Sequence, residues 1–141
     1  MMLFERVDKD AKNIVFIYTT CHSKEEARKI GLSAIYEKLA ISADYWVINS
    51  IYPWSNIIQE GEQYMLILST QKNLSEKLIK HIELEHPYTV PVIVRSDISM
   101  TNQSYSFWVD NILTSNKEYI TESEDQIKKK KEKGEHYNRL K

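Results

Sequence analysis

The order in which two kinds of apolar pattern alternate along this chain constrains its fold more than any single residue does. Residues 14–21 (IVFIYTTC) are almost wholly β-branched and aromatic, the composition of a strand covered on at least one face. Ser23-Lys24-Glu25-Glu26 then spells a capping box, and Ala27, Ile30, Gly31, Ala34, Ile35 and Leu39 recur at the spacing of one helix face. Residues 43–52 and 63–70 return to strand composition, and Pro53, Ser55, Asn56, Glu60 and Gly61 between them predict a hairpin with a projecting loop. Asn73-Leu74-Ser75-Glu76 carries an N-cap pattern for a second helix with Leu74, Leu78, Ile79 and Ile82 on its buried side, ended by His86-Pro87. Residues 90–95 predict a fourth strand. Strand, helix, strand, strand, helix, strand is the split βαβ or ferredoxin-like plan, an α+β sandwich with two helices on one face of a four-stranded antiparallel sheet.

That plan leaves the second sheet face without a cover. With strands this rich in Trp, Tyr and Ile, a closed oligomer is the physical expectation. A further helix is expected from Ser104 to about Leu113, where Tyr105, Trp108, Val109 and Ile112 share one side. The topology also places the end of the first strand, the hairpin and the end of the second helix at one rim. Cys21, His22, His86, Glu60 and Glu62 gather there.

Three short stretches single the chain out: Ser50-Ile51-Tyr52-Pro53-Trp54, His86-Pro87-Tyr88-Thr89-Val90-Pro91 and Tyr105-Ser106-Phe107-Trp108-Val109. The middle one is a stiff helix-to-strand corner between two prolines. In this order and at these intervals they resemble the CutA family, whose signatures read approximately S-I-Y-x-W, H-P-Y-E-x-P and Y-L-x-W-I. The resemblance spans Ile14 to Leu113. It implies a trimer linked to divalent cation tolerance and response to metal ions. Departures concentrate on would-be ligands: family carboxylates fall at Thr89 and Val92, a family cysteine falls at Ser42, and Thr20-Cys21-His22-Ser23 stands where T-C-P-S is usual.

Composition bounds the rest. The 141 residues suit one domain, expected over 1–114 with a charged C-terminal extension over 115–141. Eight of the 19 Lys and Arg and six of the 20 Asp and Glu lie in 117–141, so the body holds 11 basic against 14 acidic groups. Such a body lacks the basic stripe that nucleic acid requires. The acids and bases of 122–133 suit a solvated helix. A lone cysteine, an acidic Glu5 where a signal peptide continues apolar, and the lack of a long apolar run point to a cytoplasmic protein with no membrane partner.

A thiolate, an imidazole and a carboxylate suit zinc or copper, so Cys21, His86 and Glu62 are the candidate metal ligands. Tyr52, Trp54, Tyr88 and Trp108 are candidates for the subunit interface or a small-molecule cleft. His81 and His136 are expected to face solvent. No nucleophile is paired with an oriented base, no phosphate cradle follows the first strand, and no RNA-binding octamer is present. The reading is a non-enzymatic, homotrimeric CutA-like protein with weak copper or zinc binding at the rim. The alternative is a small-ligand sensor resembling the nitrogen-regulatory PII proteins.

Overall fold

The computed structural model describes residues 7–8, 13–115, 118–122 and 127. The elements run β1 (Val7–Asp8), β2 (Ile14–Cys21), α1 (Lys24–Tyr36), β3 (Ser42–Trp54), β4 (Ile57–Gln71), α2 (Ser75–Glu85), β5 (Ile93–Asp97), β6 (Thr101–Asn102) and α3 (Gln103–Leu113). The main sheet is ordered β3-β4-β2-β5 with every neighbour antiparallel, the ferredoxin-like arrangement. β1 and β6 form a separate two-residue ladder. It joins the polar leader to the residues just before α3, where no strand is expected from the sequence, because two residues carry no periodicity.

Each helix starts and stops for a local reason. Ser23 is extended and its hydroxyl accepts from the Glu26 amide at 3.1 Å, the serine half of the capping box. α1 ends with Lys38 in the left-handed region, φ 59°. There the Leu39 amide donates to the Ala34 carbonyl and the Lys38 amide to Ile35, the paired bonds of a Schellman stop. α2 departs from the expected Asn73 cap. A 3-10 turn over Lys72–Leu74 leads into it, and the Ser75 hydroxyl donates back to the Lys72 carbonyl at 2.6 Å. At the far end the His86 amide still donates to Ile82 before Pro87 forbids continuation.

The hairpin corrects the expected loop over 53–62. β3 runs to Trp54 and β4 begins at Ile57, with Trp54 opposite Ile57 and Pro53 opposite Ile58. Ser55 (φ 50°) and Asn56 (φ 64°) alone make the turn. Two successive positive φ angles give a two-residue turn whose twist matches the strands, and Asn tolerates that region well. Gly61 is therefore a strand residue opposite Ser50. Pro53 is accommodated because β3 is an edge strand. The result is a long two-stranded arm bearing exposed Ile51, Tyr52, Trp54, Ile57 and Ile58. β5 starts at Ile93 rather than Val90, two residues past Pro91, which has no amide to donate.

The core follows from strand parity. Val15, Ile17, Thr19 and Cys21 share one face of β2 with Leu66, Leu68 and Thr70 of β4. Ala27, Ile30, Ala34, Leu78 and Ile82 from the helices close over this face. The opposite face carries Phe16 and Tyr18, Met65 and Ile67, Trp46 and Ile48, and Val94. None of these seven side chains is fully buried. α3 forms a second cluster beneath the sheet, where Val109, Ile14 and Ile41 are buried with Tyr105, Trp108 and Ile112 against them.

Of the expected C-terminal extension, residues 115, 118–122 and 127 are described. Lys38 Nζ lies 3.5 Å from the centre of the Tyr119 ring, and the Tyr36 hydroxyl hydrogen-bonds Thr121 Oγ1. The solvated-helix reading of the charged run falls, apart from Glu122 and Ile127, outside the described residues, as does His136.

Candidate functional site

The His86-Pro87-Tyr88 corner brings α2 back onto the end of β2. His86 is buried, and its Nε2 lies 2.8 Å from the Thr20 carbonyl while its Nδ1 takes the Tyr88 amide at 3.2 Å. A carbonyl only accepts and an amide only donates, so the proton sits on Nε2 and Nδ1 carries the lone pair. Both ring nitrogens are therefore committed to the backbone. The imidazole rivets the helix-to-strand corner to the strand it leaves behind, and its ring packs on Tyr88 with centroids 4.7 Å apart.

Cys21 occupies the last helix-facing position of β2, opposite Tyr64, and is fully buried. Burial, with Glu26 nearby as the smaller cause, pushes its thiol up to about 11. A thiol in that state is protonated at neutral pH, a poor nucleophile and a ligand that is costly to ionise. His22, the next residue, points out to solvent, as alternation along a strand requires. Glu62 is exposed on β4 opposite Asn49, beyond the end of β2. Cys21, His86 and Glu62 thus share the rim without converging, and among the described residues no three His, Cys, Asp or Glu side chains gather as a metal set.

The Cys21 shift fixes the sign of an alkaline effect. A thiol whose folded pKa is raised leaves its contribution intact below the unfolded value near 9.0 and loses it as pH climbs through about 11. Wild-type stability is expected to fall between pH 9 and 11 more steeply than that of Cys21→Ser, as read by urea midpoints across this window. Parallel slopes would show that Cys21 ionises as freely as in the unfolded chain.

Three of the four selected aromatics do meet. Tyr52 and Trp54 from the arm and Tyr88 from the corner line a cleft of about 510 Å³ with Thr20, Gln59, Gln63 and Val92. The Tyr88 hydroxyl donates to Gln63 Oε1 at 3.0 Å. Burial, then Tyr52 and Cys21, hold that phenol above its ordinary value, so it remains a donor. Trp108 is elsewhere, packed on the Ile14 and Ile41 cluster. It belongs to the foot of the sheet, because α3 docks at the opposite end from the rim.

His81 also departs from expectation. It is largely covered, with Nε2 2.9 Å from Ser33 Oγ on the neighbouring helix. The sequence offered one signal for this, the four-residue interval to Glu85, which puts both side chains on one helix face.

Comparison with known proteins gives a consistent answer. Residues 15–112 match the family described as CutA1 divalent ion tolerance protein. A divalent-cation tolerance protein CutA from Thermococcus kodakarensis is 32% identical over 99 residues, covering 70% of this chain and 95% of the relative. The chloroplastic protein CutA of Arabidopsis thaliana is 28% identical over 109 residues, which span 75% of this chain and 60% of that longer protein. Among solved structures, the divalent ion tolerance protein CutA1 of Ehrlichia chaffeensis superposes with a TM-score of 0.71 at 30% identity, covering 74% of this chain and 98% of its own. With the sheet order, the rim corner and these matches in agreement, the chain belongs to the CutA1 divalent ion tolerance protein family.

Proposed function

We propose that this protein acts as a non-enzymatic homotrimer in divalent ion tolerance, in the cytoplasm, with residues 1–114 as the assembling domain. The observation that carries the reading is the sheet face opposite the helices, where Tyr18, Trp46, Ile48, Met65, Ile67 and Val94 stand without a cover within one chain. The long arm extends the same problem to its tip, with Trp54 half exposed and Ile58 at 69%. Apolar surface of this extent is stable in water only when sister copies hide it. Family membership supports the tolerance role. Among the described residues no helix is long and apolar enough to cross a membrane.

The non-enzymatic part rests on the rim chemistry. His86 spends both nitrogens on backbone groups and Cys21 is held protonated, so the nearest thing to a Cys-His pair is not poised for nucleophilic attack. The same facts make metal binding through Cys21, His86 and Glu62 weak. Copper or zinc there would have to displace the Thr20 carbonyl or the Tyr88 amide and ionise a buried thiol.

The assembly test is light scattering on the full chain, expected to return three times the protomer mass of 16.7 kDa. Trp54→Ala and Tyr88→Ala are each expected to raise the concentration at which trimers dissociate by about tenfold or more, the effect of removing an aromatic anchor from an interface. A monodisperse protomer in the wild type would end the reading. Unchanged dissociation in both variants would instead free the cleft for the sensor alternative, which equilibrium dialysis against nucleotides tests directly.

A further inference from the structure

The charged C-terminal extension is the stretch of sequence that neither the sheet face nor the rim accounts for, and two contacts fix its course. The Lys38 ammonium stands 3.5 Å from the centre of the Tyr119 ring, well within cation–π range, and the Tyr36 hydroxyl hydrogen-bonds Thr121 Oγ1. The Tyr119 hydroxyl is buried, so this part of the extension lies on the domain rather than trailing in water. Residue 119 meets 38 and residue 121 meets 36. The chain therefore runs antiparallel to α1 and heads back along it.

Ahead of Thr121 on that course lies a groove of about 510 Å³ on the outer side of α1, bordered by Tyr36, Leu32, Lys29, Arg28 and Glu25. These residues recur at intervals of three and four on the side away from the buried Ala27, Ile30 and Ala34, which makes a surface stripe on which a second helix can pack. Among the described residues α1 alone lines it. Leu32 is already partly buried there. In the segment that follows Glu122, Ile127 is the one apolar residue of 123–133. It is helical, and it is 40% exposed where Ile120 is 95% exposed, so more than half of it is covered.

We propose that the outer face of α1 is the docking surface for the chain's own segment 123–133, which lies antiparallel to the helix with Ile127 against Leu32. The lengths agree: a helix over 123–133 spans about 16 Å, against about 20 Å for the 13 residues of α1. The charges agree as well. In the antiparallel direction Glu124 and Asp125 come level with Lys29 and Arg28, and the lysines at 128–131 come level with Glu25 and Glu26 in the first turn of α1. Opposite charges on facing helix surfaces set both partner and direction. The extension then forms an outer layer on the helical roof, on the side of the molecule away from the sheet face that sister copies cover. This goes beyond the trimer reading and does not depend on it.

The test is hydrogen exchange on the full chain, read by mass spectrometry. Amides of 123–133 are expected to exchange about tenfold or more slowly in the wild type than in Ile127→Gln, which removes the apolar contact from the segment alone. Leu32→Gln, a change on α1, is expected to release the same amides by a similar factor while α2 and the sheet keep their wild-type rates. Exchange in the wild type as fast as in Ile127→Gln overturns the proposal. So does protection that Leu32→Gln leaves untouched, which describes a helix standing alone in water. If Leu32→Gln does not fold, Ile127→Gln decides, since it lies outside the packed domain. A cysteine pair, Leu32→Cys with Ile127→Cys in a Cys21→Ser background, then identifies the occupant. Oxidation with diamide is expected to give a disulfide within one chain, which keeps the mass of a single chain on a denaturing gel. A disulfide between chains assigns the groove to a sister copy and overturns the choice of occupant, and no disulfide above the single-cysteine controls overturns the contact itself. The trimer reading is judged separately, because assembly is read by mass in solution and not by exchange in the extension.

Discussion

Placing an aspartate at Ile67 is expected to convert the assembly into protomers. Ile67 lies in β4, one of the two inner strands, on the face away from the helices, directly opposite Tyr18 of β2 and Asp44 of β3. A carboxylate there has no partner on its own face. It sits across the strands from the existing Asp44, and like charges directly opposite one another repel. In the free protomer this cost is small, because water reaches the face. In the trimer the charge would be shut away from water, and leaving a charge buried and unpaired costs about 2–5 kcal/mol per interface. Closed symmetry repeats that penalty at every contact. Light scattering is expected to report the mass of one chain at concentrations where the wild type is fully assembled, with the far-ultraviolet spectrum of the sheet retained. A variant that still assembles would mean that this face is not the buried one.

The alternation of strand and helix was legible because each element has its own period. The β-branched and aromatic run of residues 14–21 becomes β2, the 3.6-residue spacing of Ala27, Ile30, Gly31 and Ala34 becomes the buried side of α1, and the Ser23 cap appears where the capping box puts it. The arm was legible only in part. Turn-forming residues at Ser55-Asn56 and at Glu60-Gly61 compete, and the sequence cannot rank them until cross-strand pairing of Trp54 with Ile57 decides for the first. The β1–β6 ladder has too few residues to leave a pattern.

At the candidate site, residue type misled where parity would have helped. Cys21 looks like a ligand by chemistry, yet it shares its strand face with Val15, Ile17 and Thr19, the face the helices cover. His86 was placed at the rim correctly, but its partners are a carbonyl and an amide, which every residue possesses and no sequence pattern advertises. Trp108 shares a signature with the family while serving a different cluster, since a motif fixes a residue's position and not its company. Ser33 and His81 are 48 residues apart and meet only because α1 and α2 lie side by side.

The contact between α1 and the sheet supplies the second large effect. Gly31 is buried in the middle of α1, where glycine costs a helix about 1 kcal/mol relative to alanine. On propensity alone Gly31→Ala should therefore stabilise. Packing reverses the sign. A Cβ at this position would meet Ala43 Cβ at 2.8 Å and Leu66 Cδ1 at 3.5 Å. The leucine methyl can turn away, but a Cβ moves only with its backbone, so relief requires α1 and β3 to part. Overpacking of this kind costs about 1–3 kcal/mol. The clash thus outweighs the propensity gain, and the urea midpoint is expected to fall at fixed protein concentration. Gly61→Ala is the internal control. Its added Cβ has nothing within 4 Å in its own chain, so within the protomer only the reduced freedom of the unfolded chain changes, and the midpoint, read at protein concentrations where the protomers are dissociated, is expected to hold or rise slightly. Equal gains from both substitutions would show that α1 does not sit on β3 as closely as described, and the helical roof over Val15, Ile17 and Leu66 would have to be rebuilt.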